Sequence, residues 1–430
     1  MKLQKRLDKI DIEIPSIGGS IGRFYLKIKE INNSIDFSKI DICSKSKFIK
    51  SRQQHSLLDI LKYAYYNNLL LQSLQMYSLK EQQKFVELVK NDRTEDLKCW
   101  MSSNGRYIMR DLNGIAYSNN IPSNLFNKYL DIDVLNEFVD MEILDSLLKQ
   151  SNYKNTFKIR YKNLIINLDI IGEAKIVPLP ILNKLVNIII ILGQYKSKTR
   201  SITINIDIYL TDFKKKLNIR TKSLGSREIN SGFTASGHKL CIFRKEELYK
   251  VLTHELIHYL KLDLVRHVEF TDYYKYFNIP QNTEIRLNEA YTEIFAVIFN
   301  SMINTKSEKE LVSVLNRELK YSLYQCAKIL DYYNFGSALE FFKRNDGNTK
   351  FNQQTSVFSY FIVKTLILFN LDVFLEFYEK IDHTNFKDFV IGLVSLKFIE
   401  TLEAFMKLIR KQDKNSDMYN SLTMVYFNDV

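Results

Sequence analysis

Two segments about thirty residues apart each place a pair of ionisable side chains one helical turn apart on a stretch that is otherwise apolar. The first is YKVLTHELIHYLKLD, Tyr249–Asp263, where His254 and His258 are four positions apart and Glu255 lies between them. The second is LNEAYTEIF, Leu287–Phe295, where Glu289 and Glu293 repeat that spacing and AVIF follows. On an α-helix, residues i and i+4 share a face. Leu252, Leu256, Ile257 and Leu260 anchor the other faces of the first helix. Two carboxylates on a helix this apolar are costly unless paired. Imidazoles and a shared cation are suitable partners, so the chain is expected to bring the two helices face to face.

The chemistry of such a pairing is specific. Zinc binds imidazole nitrogen at about 2.0–2.1 Å, and a catalytic zinc keeps three protein ligands and one open position. Glu255 lies about 100° around the helix from His254. That suits contact with a water rather than with the metal. A carboxylate from the second helix completes a His₂Glu set, and another one turn along can accept the free N–H of a ligand histidine. The plainer alternatives are a helix with one packed and one exposed histidine, and an amphipathic helix with two solvated glutamates.

HELIH followed by NEAYTE resembles the gluzincin zinc metallopeptidases, the clan of thermolysin and the aminopeptidases. Their pattern is H-E-x-x-H on one helix and N-E-x-x-S-D, or a close relative, on the next. Here Thr292 stands for Ser and Glu293 for Asp. The resemblance covers about Ile202 to Phe299. It implies one zinc per chain held by His254, His258 and Glu289, with Glu255 as general base. It also implies that Glu293 orients His254 and Asn288 supports His258. The spacing between the motifs exceeds the family's usual one, which implies an insertion at Val265–Asn282.

The family places a substrate-binding edge strand before the active helix. INSGFTASGHKLCIF, Ile229–Phe243, is the matching stretch, with Gly232 and Phe233 as substrate-binding positions; a plain hairpin with glycine at its turn fits it equally. The family's oxyanion donor is a Tyr or His from a downstream segment. Tyr360 is the first candidate, and His267, Tyr273, Tyr274, Tyr276 and His383 compete with it. His238 is expected at the surface, and His55 suggests no role. The implied activity is hydrolysis of a peptide or protein substrate by a zinc-activated water. NSGFTASG has no acidic residue to grip a free α-amine, which favours an endopeptidase or a selective processing peptidase. Two other readings compete: an inactive or structural zinc-binding protein, and a basic nucleic-acid or virion-associated protein.

Composition bears on the last of these. The net charge of +12 is spread thinly over 430 residues. FKKKL and YKSKTR are its densest runs, so a solvated basic surface is expected and nucleic acid is not. The 4 cysteines are dispersed, as free thiols of a reducing compartment are. No apolar leader is visible, and the longest apolar run, LVNIIIIL, is too short to cross a bilayer. A cytoplasmic protein is expected, in a host cytoplasm or virion if viral. The AT-rich style of residue usage suits a large DNA virus or an intracellular parasite.

The expected fold is α+β: a small mixed sheet over an active-site helix and a glutamate helix. Three regions are expected: residues 1–152, mixed and largely helical; 153–304, the metallopeptidase core; and 305–430, a helical part completing the cleft. IDIEI and FYLKIKEI near the start alternate as strands do. TFKIRYKNLIINLDIIG reads as one or two strands, and LPILNKLVNIIIILGQY as a helix or buried strand. SITINIDIYL is the cleanest strand, with Ile202, Ile204, Ile206 and Ile208 on one face. Helices are expected at Glu246–Leu262 and at Glu284–Met302, the latter capped by Asn282 or Thr283.

Overall fold

The computed structural model describes residues 20–49, short stretches between 61 and 139, and residues 141–426 apart from 198, 218–222, 236–237, 265–272, 282 and 344–348. The described elements begin with α1 (Ser20–Asn33), β1 (Asp41–Phe48), α2 (Leu79–Lys90) and α3 (Met141–Gln150). A hairpin of β2 (Tyr153–Tyr161) and β3 (Leu164–Gly172) follows, then α4 (Leu179–Lys196) and β4 (Ile202–Tyr209). A second hairpin, β5 (Gly232–Ala235) and β6 (Lys239–Ile242), leads into α5 (Leu248–Tyr259) and α6 (Leu287–Ile303). The remainder is helical: α7 (Glu308–Tyr332), α8 (Lys364–Phe369), α9 (Leu371–Phe377), α10 (Phe386–Gly392) and α11 (Leu396–Arg410).

One mixed sheet organises the chain, in the order β1-β2-β3-β4-β6-β5. Strands β3, β4 and β6 run parallel, and the strands outside them pair antiparallel. The alternation in β4 sorts its side chains between two cores. Ile204, Ile206 and Ile208 join Ile166, Leu168 and Ile170 in the main core with α4 and α5. Tyr209, with Ile171, Cys241 and Phe243, turns to a second cluster containing Leu88, Val89, Ile143 and Leu147. The β3–α4–β4 crossover explains why the LVNIIIIL run is helical. A parallel connection needs a helix of about this length, and Leu185, Ile188, Ile189 and Leu192 are buried along it. No described helix is long and apolar enough to cross a membrane.

Several expectations change. FYLKIKEI lies in α1, not in a strand: Ile21, Tyr25, Ile28 and Ile31 are buried at helical spacing, and this stripe packs α1 against α4. IDIEI lies outside the described residues. The division at residue 152 does not separate structural units, because β1 pairs with β2 along its whole length and the main core takes residues from Ile21 to Met424. Strand pairing is non-local, so the local composition shift near Tyr153 misplaces a boundary there. Helix α6 starts at Leu287 with no side-chain cap. Thr283 therefore precedes the helix, and Asn282 is outside the described residues. Cys43 is exposed, and Cys241 and Cys326 are buried.

Gly193 lets α4 lie close on the sheet. A Cβ there would come within 2.8 Å of Leu164 Cδ1 and 2.9 Å of Cδ2. Gly193→Ala gains up to about 1 kcal/mol of helix propensity but overpacks this contact at a cost of roughly 1–3 kcal/mol. A lower urea midpoint at unchanged m-value is expected. An equal or higher midpoint would show that Leu164 yields.

Candidate metal centre

Helix α5 is buried at every position from Leu248 to Tyr259. It packs against α4, α6 and the β5–β6 hairpin. Its polar residues must therefore find partners inside the protein, and each key one does. His254 Nδ1 lies 2.9 Å from Glu293 Oε2 and its Nε2 lies 3.2 Å from Glu289 Oε2. His258 Nδ1 lies 2.7 Å from Asp263 Oδ2 and its Nε2 lies 3.3 Å from Glu289 Oε2. The two Nε2 atoms are 3.1 Å apart.

His254 Nε2, His258 Nε2 and Glu289 Oε2 thus form a nearly equilateral triangle with edges of 3.1, 3.2 and 3.3 Å. A tetrahedral cation with ligand bonds of about 2.0–2.1 Å holds its donors about 3.3 Å apart. Among the described residues, these three are the group of His, Cys, Asp and Glu side chains able to share one ion. The remaining ring nitrogens face carboxylates, which fixes the tautomer and the ring planes.

The charges of this group are linked. Burial opposes ionisation of Glu289, but His258 and His254 outweigh it and hold the carboxyl well below the usual carboxylate range. Burial also opposes a charge on His258, yet Glu289 and Asp263 push it up to about 10. His254 is raised in the same way by Glu289 and Glu293 against the effect of burial. Glu293 is lowered, since Lys250 and His254 overcome its burial. Lys250 Nζ donates to both oxygens of Glu293, at 2.8 and 3.0 Å. Lys250 is four positions before His254, so one face of α5 presents both partners of Glu293.

Glu255 borders the same cleft. Thr234 Oγ1 donates to its Oε2 at 2.8 Å. Gly232 shares a strand face with Thr234 two positions on. A Cβ at Gly232 would come within 2.8 Å of Cys241 O and 3.1 Å of Glu255 Cγ. The absent side chain thus makes room for Glu255 itself. Phe233 borders the cleft but packs into the cluster behind the sheet, with 7% of its surface exposed.

Tyr360 lies opposite, on the π-helical turn Phe358–Val363 that runs into α8. Its hydroxyl donates to Glu289 Oε2 at 2.8 Å. Burial, then Glu289 and Glu255, raise its pKa well above that of free tyrosine, so it remains a donor. The described competitors lie elsewhere. Tyr273 packs among Phe277 and Phe358, Tyr276 is 45% exposed, and neither Tyr274 nor His383 lines the cleft. His267 and His55 fall outside the described residues, and His238 is exposed beside the β5–β6 turn.

Lys250, Asp263 and Thr234 of the site escaped the sequence reading. Asp263, not Asn288, meets His258 Nδ1; Asn288 Nδ2 is buried without a partner among the described residues. The loop after α5 turns back through Lys261, whose φ is 52°, and brings Asp263 over the helix end. An acidic residue five positions past His258 was the available signal. Thr234 had none beyond its alternation with Gly232.

No family model matches the chain, and no solved structure does. A relative among curated proteins is an uncharacterized protein, R210, of Acanthamoeba polyphaga mimivirus, 29% identical over 234 residues. The match takes in 50% of this chain and 59% of that protein, so the chain spans about three-fifths of the length of the curated relative it matches.

Lys250→Met leaves the buried Glu293 carboxylate without its ammonium partner. A loss of roughly 3–5 kcal/mol of unfolding free energy is expected, with part of it recovered on adding Glu293→Gln. Urea denaturation of both variants measures this; a single variant as stable as the parent would show the pair to be dispensable.

Proposed function

We propose that the protein is a zinc-dependent peptide hydrolase with a gluzincin-like core, acting as an endopeptidase or selective processing peptidase. The donor triangle of His254, His258 and Glu289, with Glu255 beside it on an accessible cleft, carries this reading. All three donors are types that zinc favours, and the 3.1–3.3 Å edges suit its size. When bound there, zinc supplies Lewis-acid polarisation of a carbonyl and acidification of water.

The chain's own groups handle the proton and the substrate. Thr234 holds Glu255 Oε2, which leaves Oε1 to take a proton from the attacking water. Glu255 returns that proton to the amine nitrogen as the C–N bond breaks. The Tyr360 hydroxyl, held by Glu289 in the resting protein, turns to the oxygen on which negative charge develops. Strand β5 ends the sheet beside the cleft, where an extended peptide adds as a further strand. Glu293 and Asp263 keep the two imidazoles in register.

Elemental analysis of protein purified without chelator is expected to find about one zinc per chain. Glu255→Gln is expected to retain that zinc and lose roughly 10²–10⁴-fold in cleavage of a peptide library. Absence of zinc, or cleavage by the Gln variant at the parent rate, sinks the proposal.

Zinc uptake is also expected to expel protons. In the metal-free protein His258 holds its proton up to about 10 and His254 is raised in the same direction. A ligand imidazole must be neutral. Affinity therefore weakens as pH falls from about 10, the metal competing with ever more firmly populated protonated states. Calorimetric titration at about pH 8 in buffers of different ionisation enthalpy reads the released protons. A heat independent of buffer contradicts this prediction.

A further inference from the structure

The last described segment, Ser421–Tyr426, has no regular structure, yet its backbone is held by side chains from three other elements: the start of α5, α7 and α8. Glu247 Oε1 accepts from the N–H groups of Met424 and Val425, at 2.5 and 2.8 Å. Lys364 Nζ donates to Met424 O at 2.7 Å, and Gln325 Nε2 donates to Thr423 O at 2.7 Å. Glu318 Oε2 accepts from Tyr426 N at 2.9 Å, and Lys328 Nζ donates to Ser421 O. Glu247, Gln325, Glu318 and Lys364 are at most 2% exposed. Charge-assisted bonds in so dry a setting are strong, and any left unmade is costly. The position of Met424 is therefore over-determined.

Its side chain reaches the cleft of the metal centre, with Sδ 3.6 Å from Lys250 Nζ. Lys250 lies one turn before His254 on the same face of α5, and both meet Glu293, so Met424 borders the cleft beside the group that holds His254. Val251 and Ile229 border the same cleft, and Lys215 and Lys250 add two ammonium groups to its lining. Each ammonium is already neutralised, Lys215 by Glu247 and Lys250 by Glu293. A basic side chain placed there meets like charges. An acidic one finds both cations already paired. A long aromatic one meets a wall whose backbone is clamped.

We propose that Met424 closes the side-chain pocket beside the metal centre and restricts the substrate residue entering it to a compact, uncharged side chain. This rests on the peptidase reading. Met424→Ala opens the pocket by three heavy atoms; Met424→Val removes less and provides a second variant if the first folds poorly.

The test is mass-spectrometric profiling of bonds cut in a random peptide mixture by the zinc-loaded parent and both variants. The parent is expected to favour compact uncharged residues on one side of the cut bond. Met424→Ala is expected to shift the ratio of aromatic to compact residues there by about tenfold or more, and Met424→Val by less. A parent that cleaves while both variants keep its profile overturns the role of Met424 and leaves the peptidase reading standing. A parent that cleaves nothing overturns that reading and the pocket with it.

Discussion

The carboxylate of Glu293 is shared between His254 and Lys250, and this buried contact sets how α5 and α6 face each other. Glu293 has no exposed surface, and Lys250 has 3%. A carboxylate so placed must keep its partners or pay heavily in free energy. Because Lys250 and His254 are one turn apart, a single carboxylate can bridge both only if α6 crosses at their level. Glu289, one turn earlier on α6, then falls against the far nitrogens of both imidazoles. The donor triangle is a geometric consequence of the bridge.

The same logic extends to the start of α5. Glu247 has a left-handed backbone, with φ 61°, and caps nothing with its side chain. Such a conformation costs about 1–3 kcal/mol in a residue with a Cβ. In return its carboxylate meets Lys215 and two backbone N–H groups of the C-terminal segment. Lys364 and Glu318 hold the next groups of that segment. Alternating charges therefore run from the His254, His258 and Glu289 cluster through α5 to residues more than 150 positions away in the chain. Networks of this kind contribute less to net stability than apolar packing of equal volume, but removing one member is severe. Their effect here is to fix positions: the imidazole rings at one end and Met424 at the other.

Elements with a strong period were legible. The Ile alternation of β4 and the HELIH and NEAYTE helices lie where periodicity places them. FYLKIKEI was not legible, because a window that short satisfies both periods; only the longer stripe from Ile21 to Ile31 shows the helix. The N-terminal boundary failed for a related reason, since β1 joins the sheet across more than a hundred residues. Within the site, the spacing of His254, His258, Glu289 and Glu293 announced their shared faces. Asp263 and Thr234 carry no such spacing. Asp263 depends on how the chain turns after α5, and Thr234 on which strand lies beside that helix.

By itself the sequence determined which residues share a face. That follows from helix and strand periods, which are properties of the local backbone. It therefore set the donor types, the pairing of two imidazoles with two carboxylates, and the apolar surroundings that make such groups seek each other. Tertiary structure alone decided which carboxylate meets which nitrogen, that Gly232 is bare to admit Glu255, and that Met424 walls the cleft. Those contacts join residues distant in the chain, and no local period encodes them. They arise when buried charges, unable to reach water, are satisfied by whatever partner the packing brings.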